Sequence, residues 1–192
     1  MEANIEKKAK VNRPLDALFK IDDFLGFVEK HVATVLFIAM IFFMVFQVTA
    51  RFILQFPAPW TEELSRYLWI GVGFIGTAVA LKNHQHIEIN LIIPIIDKIK
   101  GARNKAIFVK CIDLVRFVVI LVFCIYMTQM CLEFTLRVIT LEQLTPALQM
   151  PKWWIDAVIC FGWAAMSFHS AIIIIKTIIT PIKVIETGGE EA

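Results

Sequence analysis

From Val32 to Ala50 the chain carries no charged side chain and is almost wholly aliphatic residues and Phe. A hydrocarbon core of about 30 Å takes about 20 apolar residues in helix, so this segment is predicted to cross a bilayer. Further segments of the same kind follow near 64–81, 107–132 and 153–179. The second has Arg66 at its entrance and Gly71, Gly73 and Gly76 inside. The last two exceed a bilayer's thickness and imply tilt or extension beyond it. Hydrophobic residues make up 58% of the 192, with sixteen Phe and five Trp, which is more apolar than a soluble domain usually is. The expected fold is therefore an all-α integral membrane protein with four transmembrane helices, in a single membrane domain over 1–192. Met1–Arg13 is polar and of mixed charge, unlike a cleaved leader, so the first apolar segment is expected to be retained.

The basic residues set the orientation. Lys7, Lys8, Lys10, Arg13, Lys20 and Lys30 precede the first segment, and Lys82, Lys98, Lys100, Arg103, Lys105 and Lys110 fill the middle connection. The other two connections hold only Arg51 with Arg66, and Arg137 with Lys152. The positive-inside rule then places both termini and the middle connection in the cytoplasm, and Pro57–Glu63 outside. The net charge of +2 gives no general attraction to nucleic acid.

Two flanking pieces have the pattern of short amphipathic interfacial helices. In 14–30, Leu15, Leu18, Phe19, Leu25 and Val28 fall near one face, with Asp16, Lys20, Asp23 and Lys30 mostly off it. In 89–100, Leu91, Ile92, Ile95, Ile96 and Ile99 recur at helical spacing, and the adjoining Lys98, Lys100 and Arg103 suit anionic lipid as well as a topology signal. The outer connection Glu133–Pro151 has room for a short surface helix. Residues 186–192 are polar and acidic and are expected to be a disordered tail.

The charges that need explaining are at Pro57–Arg66. Thr61 is a candidate N-cap, and Glu62 and Glu63 in a first turn favour the helix dipole. Glu62 and Arg66 are i,i+4 and Glu63 and Arg66 i,i+3, so one acid can pair with Arg66 and the other is left over. Trp60 suits an aromatic belt. Ionisable groups inside apolar runs tend to be paired and functional, which favours a docking role for Arg66 beside the purely structural one. Gly73, Gly76, Thr77 and Ala80 follow i, i+3, i+4 and i+7, a spacing that allows close helix contact. Asp113 and Arg116, i,i+3 in the third segment, either neutralise each other or touch a lipid headgroup or another subunit.

Other chemistry is thinly provided. His84 and His86 offer two ligands where a metal site wants three or four, so no metal is expected. His31 and His169 both fall toward the cytoplasmic side, which leaves open a haem held between them as a rival reading. Cys131 and Cys160 fall toward one membrane face and are read as small apolar residues, with a disulfide as the alternative. No nucleophile–base pair, phosphate loop, mid-membrane carboxylate or broken span appears, so the chain is expected neither to catalyse nor to carry solute alone.

The run Ala50-Arg51-Phe52, then Pro59-Trp60-Thr61-Glu62-Glu63-Leu64-Ser65-Arg66, Gly76-Thr77-Ala78 and His86-Ile87-Glu88-Ile89, closely resembles the small, DctQ-like membrane subunit of tripartite ATP-independent periplasmic (TRAP) transporters. The resemblance is strongest over 47–91; four spans with both termini inside also match. It implies a non-catalytic subunit of the bacterial inner membrane, with no cofactor. It implies two protein partners, a large membrane subunit that carries substrate and sodium and a periplasmic substrate-binding protein. The complex would take up an organic acid, such as a four-carbon dicarboxylate or sialic acid, on a sodium gradient. The small subunit would enlarge the scaffold of the large one. Its interface is expected at Arg51, Trp60, Glu62, Glu63, Arg66, Gly73, Gly76, Thr77 and Ala80. A stand-alone membrane scaffold remains a further alternative.

Overall fold

The computed structural model describes residues 2–56, 58–83 and 102–179, with side chains from residue 15 in the first helix and from residue 107 in the third. The predicted helix at 89–100, its Lys98 and Lys100, the His84–Glu88 turn and the tail at 186–192 lie outside the described residues, as does the side chain of Arg103. Among the described residues the protein is all-helical: α1 (Glu2–Phe52), α2 (Pro59–Lys82), α3 (Ala102–Thr140) and α4 (Trp153–Ile179). Three helices among the described residues are long and apolar enough to cross a membrane, over Leu15–Phe52, Pro59–Lys82 and Trp153–Ile179.

Residues 14–30 and the first apolar segment form one unbroken helix of 51 residues. The side of α1 that meets the rest of the chain explains the continuity. Asp22, Gly26, Glu29, Met40 and Ala50 are buried and Ala33, Leu36, Phe43 and Gln47 half-buried. These positions recur in alternating steps of three and four, the 3.5-residue seam of helices packed side by side. Leu15, Leu18, Phe19 and Leu25, whose face was expected to lie on the membrane surface, are half-buried within the chain.

The helices form an open row. α1 packs on α2, α2 on α4, and α4 on α3, while α1 reaches α4 only narrowly. In lipid, burial of apolar surface supplies little drive for helix association, so close packing and polar contacts must fix the row. Gly162 of α4 provides such a contact: a Cβ there would stand 2.7 Å from the Cβ of Phe74 and 3.2 Å from its carbonyl carbon. Its neighbour Trp163 then lies edge-on to Phe74 of α2 and Phe123 of α3, with ring centroids 5.7 and 5.6 Å apart. Ala78, Leu81, Phe117, Cys124, Ala165, Met166 and Ile173 make the buried core around this point.

The connections between α1 and α2 and between α3 and α4 are short. Pro59 occupies the first turn of α2, with Ala58 as its uncapped N-terminal residue. Proline's fixed φ and missing N–H suit that position, so the helix starts earlier than a Thr61 cap would allow. Thr61 instead lies inside the first turn, fully buried, and its hydroxyl donates to the Ala58 carbonyl at 2.7 Å. α3 continues to Thr140, so much of the expected outer connection is helix, and what remains is a compact turn over 141–152. Thr145 and Met150 close it with a backbone bond of 2.8 Å, and Lys152 N–H donates to the Gln143 carbonyl at 2.9 Å. Glu142 and Gln149 turn the chain at φ of 48° and 54°.

Candidate functional site

The Pro57–Arg66 stretch divides its charges between two tasks. Glu62 and Arg66 pair on the outside at 3.1 Å, both well exposed. Glu63 is neither free nor paired with Arg66. Its carboxylate turns inward, where Oε2 accepts from the backbone N–H groups of Ala147 and Leu148 at 2.7 and 2.9 Å. Its Oε1 accepts from the Tyr67 hydroxyl. The acid left over in the sequence therefore ties the start of α2 to the loop before α4. A carboxylate receiving several donors is well satisfied, and the donors are otherwise orphaned loop amides. Trp60 packs against Phe43 and Phe46 of α1, at centroid distances of 6.2 and 6.3 Å. Arg51 is exposed, its guanidinium 5.7 Å from the Phe52 ring.

From position 61 onward, α2 exposes one continuous stripe. Glu62, Arg66, Trp69, Gly73 and Thr77 are its exposed residues from position 61 to 82, and they succeed one another by three or four. A Cβ added at Gly73 or at Gly76 would meet nothing within 4 Å. Gly76 and Ala80, half-buried, flank the stripe. Gly71, on the opposite side, does serve the chain itself, since a Cβ there would approach Leu36 to 3.2 Å. The small residues thus serve two faces, and the Gly73–Thr77 face is uncovered among the described residues.

This stripe borders a groove of about 540 Å³ between α2 and α3. Trp69, Gly73, Phe74 and Thr77 form one wall, Ile120, Phe123 and Cys124 the other, and Trp163 and Met166 of α4 the floor. Trp69 is 65% and Phe123 49% exposed at its rim. The groove exists because α2 and α3 do not pack on each other: both lean on α4. On α3, Asp113 and Arg116 pair at 3.2 Å, the first of the two sequence alternatives, and the guanidinium lies 4.7 Å from the Phe117 ring.

A second polar site was not foreseen. His169 of α4 is fully buried between two carboxylates of α1. Its Nδ1 lies 2.6 Å from Asp22 Oδ1 and its Nε2 3.0 Å from Glu29 Oε2. Asp22 Oδ2 also meets Lys176 Nζ at 3.3 Å and Lys82 Nζ at 3.6 Å. Lys82 reaches further to Asp23 at 3.2 Å and donates to the Asp22 carbonyl. Gly26 makes room for that lysine, since a Cβ at Gly26 would stand 2.5 Å from Lys82 Cδ. The cluster is where α1, α2 and α4 meet. Its signal in the sequence is a matched spacing: Asp22 and Glu29 are seven apart on α1, and His169 and Lys176 seven apart on α4. Two acids on the inward face of one helix and two bases on one face of another are two-turn pairs that can meet.

The geometry corrects the haem reading. His31 is exposed, and its Nδ1 lies 2.8 Å from the Phe27 carbonyl. His169 has both ring nitrogens against carboxylates, so neither is available to iron. Cys131 and Cys160 are free thiols at the α3–α4 seam, facing the carbonyls of Asp156 and Thr128 at 3.6 and 3.8 Å.

Comparison with known proteins adds a family. The model of the family described as tripartite ATP-independent periplasmic transporters, DctQ component, matches residues 40–180. The chain is 31% identical over 62 residues to the sialic acid TRAP transporter small permease protein SiaQ of Vibrio cholerae, a match covering 32% of this chain and 36% of that protein. It is 29% identical over 69 residues to the sialic acid TRAP transporter permease protein SiaT of Haemophilus influenzae, covering 36% of this chain and 11% of that longer one.

Proposed function

The chain belongs to the DctQ component of the tripartite ATP-independent periplasmic transporters, a family of transporter components, and is a multi-pass protein of the inner membrane; from that premise we propose that it scaffolds a large permease subunit. The observation that carries the proposal is the uncovered stripe of α2, charged at its outer end and small-sided along the groove. A transmembrane helix of the large subunit is the occupant that suits it. Glycines that pack against nothing in their own chain let a second backbone approach closely, which is the main source of helix affinity in lipid. The Arg66–Glu62 pair at the end of the stripe would fix the register of that helix. The relative from Haemophilus influenzae supports such a neighbour, because there the matched segment is a small part of a much longer permease chain.

In this reading α3 also crosses the membrane, making four spans with both termini in the cytoplasm. The large subunit moves an organic acid on a sodium gradient, and a periplasmic protein delivers it. Both relatives are named for sialic acid, which makes it the first solute to try, and four-carbon dicarboxylates the second. Arg51 and Trp60 belong to the outer end of the interface or hold its geometry, and Lys98, Lys100 and Arg103 face lipid headgroups. This chain supplies rigidity and no catalysis.

The test is co-expression with a TRAP-type large subunit, followed by purification on a tag carried by this chain and reconstitution with a binding protein. Recovery of the pair and uptake that needs an inward sodium gradient are expected. Recovery of this chain alone, as a stable protein from cells that make both, would overturn the proposal. For topology, a membrane-impermeant maleimide should label a Gln149→Cys variant in intact cells, and a His84→Cys variant only after permeabilisation.

A further inference from the structure

The contacts of His169 cannot all be satisfied by a neutral ring while both carboxylates are ionised. A neutral imidazole has one N–H and one bare nitrogen. Both nitrogens here face carboxylate oxygens, at 2.6 Å on Asp22 and 3.0 Å on Glu29. Either neutral tautomer therefore sets a lone pair against an ionised oxygen, with all three side chains no more than 3% exposed. Glu29 would suffer most. Its other oxygen, Oε1, is buried and has no hydrogen-bond partner among the described residues. Without a proton between Nε2 and Oε2 it would be a buried charge with nothing to compensate it, which is strongly unfavourable.

The charges of the cluster close in the same way. On α1 stand Asp22, Asp23 and Glu29; against them stand Lys82 from α2 and Lys176 from α4. Among the described residues this leaves one negative charge over, and a proton on His169 balances it. On α3, which also packs on α4, Asp113 and Arg116 pair with each other. We propose that Asp22, His169 and Glu29 form a buried proton-binding site, in which a doubly protonated imidazole bridges α1 to α4. On the ring, that proton lets His169 donate to both carboxylates at once. The site takes one proton from solvent, and that proton joins the Asp22–Lys176 bridge in fastening the first half of α1 to the last helix.

Nitrogen NMR of the full chain in lipid nanodiscs, labelled with ¹⁵N-histidine, tests this directly. A His169→Gln spectrum assigns the signals, leaving His31, His84 and His86. At neutral pH both His169 ring nitrogens should carry protons. In Glu29→Gln the amide can donate to a bare Nε2, so the signal of one unprotonated nitrogen should appear at the same pH. A wild-type His169 with one bare nitrogen at neutral pH overturns the proposal, whether or not Glu29 is then the protonated group. So does a doubly protonated ring that persists unchanged in Glu29→Gln. If that variant does not fold, the wild-type spectrum alone still decides.

Discussion

The carboxylate of Glu63, in the first turn of α2, accepts the backbone N–H of Leu148 at 2.9 Å across 85 residues of chain. With the Ala147 bond beside it, one side chain fixes the outer loop that leads into α4. Replacing Glu63 with Ala should leave two loop amides without their acceptor. The 141–152 segment should then be cleaved faster by added protease, on the order of tenfold, since local opening is governed by just such bonds. Limited proteolysis of proteoliposomes from the outer side reads this, and an unchanged cleavage rate would show that the loop holds itself.

Two glycines should behave oppositely. Gly162→Ala drives a methyl into Phe74 and should cost about 1–3 kcal/mol by overpacking, seen as a lower Tm of the purified chain. Gly73→Leu places a Cβ that meets nothing within 4 Å among the described residues and should leave the Tm unchanged or slightly higher. If a partner helix lies on this face, the same variant should lower recovery of the large subunit on the order of tenfold, about 1.4 kcal/mol.

Arg66→Ala removes an exposed pair with Glu62. Such pairs contribute about 0–1 kcal/mol, so membrane insertion and the stability of the isolated chain should hardly change. Assembly with the large subunit, or uptake by the complex, should weaken. Complex yield and uptake equal to wild type would remove Arg66 from the interface.

His169→Ala is the most damaging substitution expected. It takes one partner from each of two buried carboxylates, Glu29 and the lysine-bridged Asp22, and breaking such a buried pair typically costs about 3–5 kcal/mol. Thermal unfolding of the purified protein should show a drop of several degrees, and α1 amides near Asp22 should exchange faster with deuterium. His31→Ala, on an exposed residue bonded only within its own helix, should alter neither.

The sequence by itself determined the helices and the residue types at the outer mouth of α2. Long uncharged runs leave helix as the only way to satisfy the backbone in lipid, and this depends on composition and length alone. It also offered the Glu62–Arg66 and Asp113–Arg116 pairs as candidates, because residues three or four apart are neighbours on any helix. Only the tertiary structure decided what Glu63 does, which glycines pack inside the chain and which stay bare, and that Asp22 and Glu29 close on His169. Those outcomes depend on which helix stands beside which and at what rotation. Such relations join residues as far apart as Asp22 and Lys176, and a one-dimensional pattern holds no measure of that proximity.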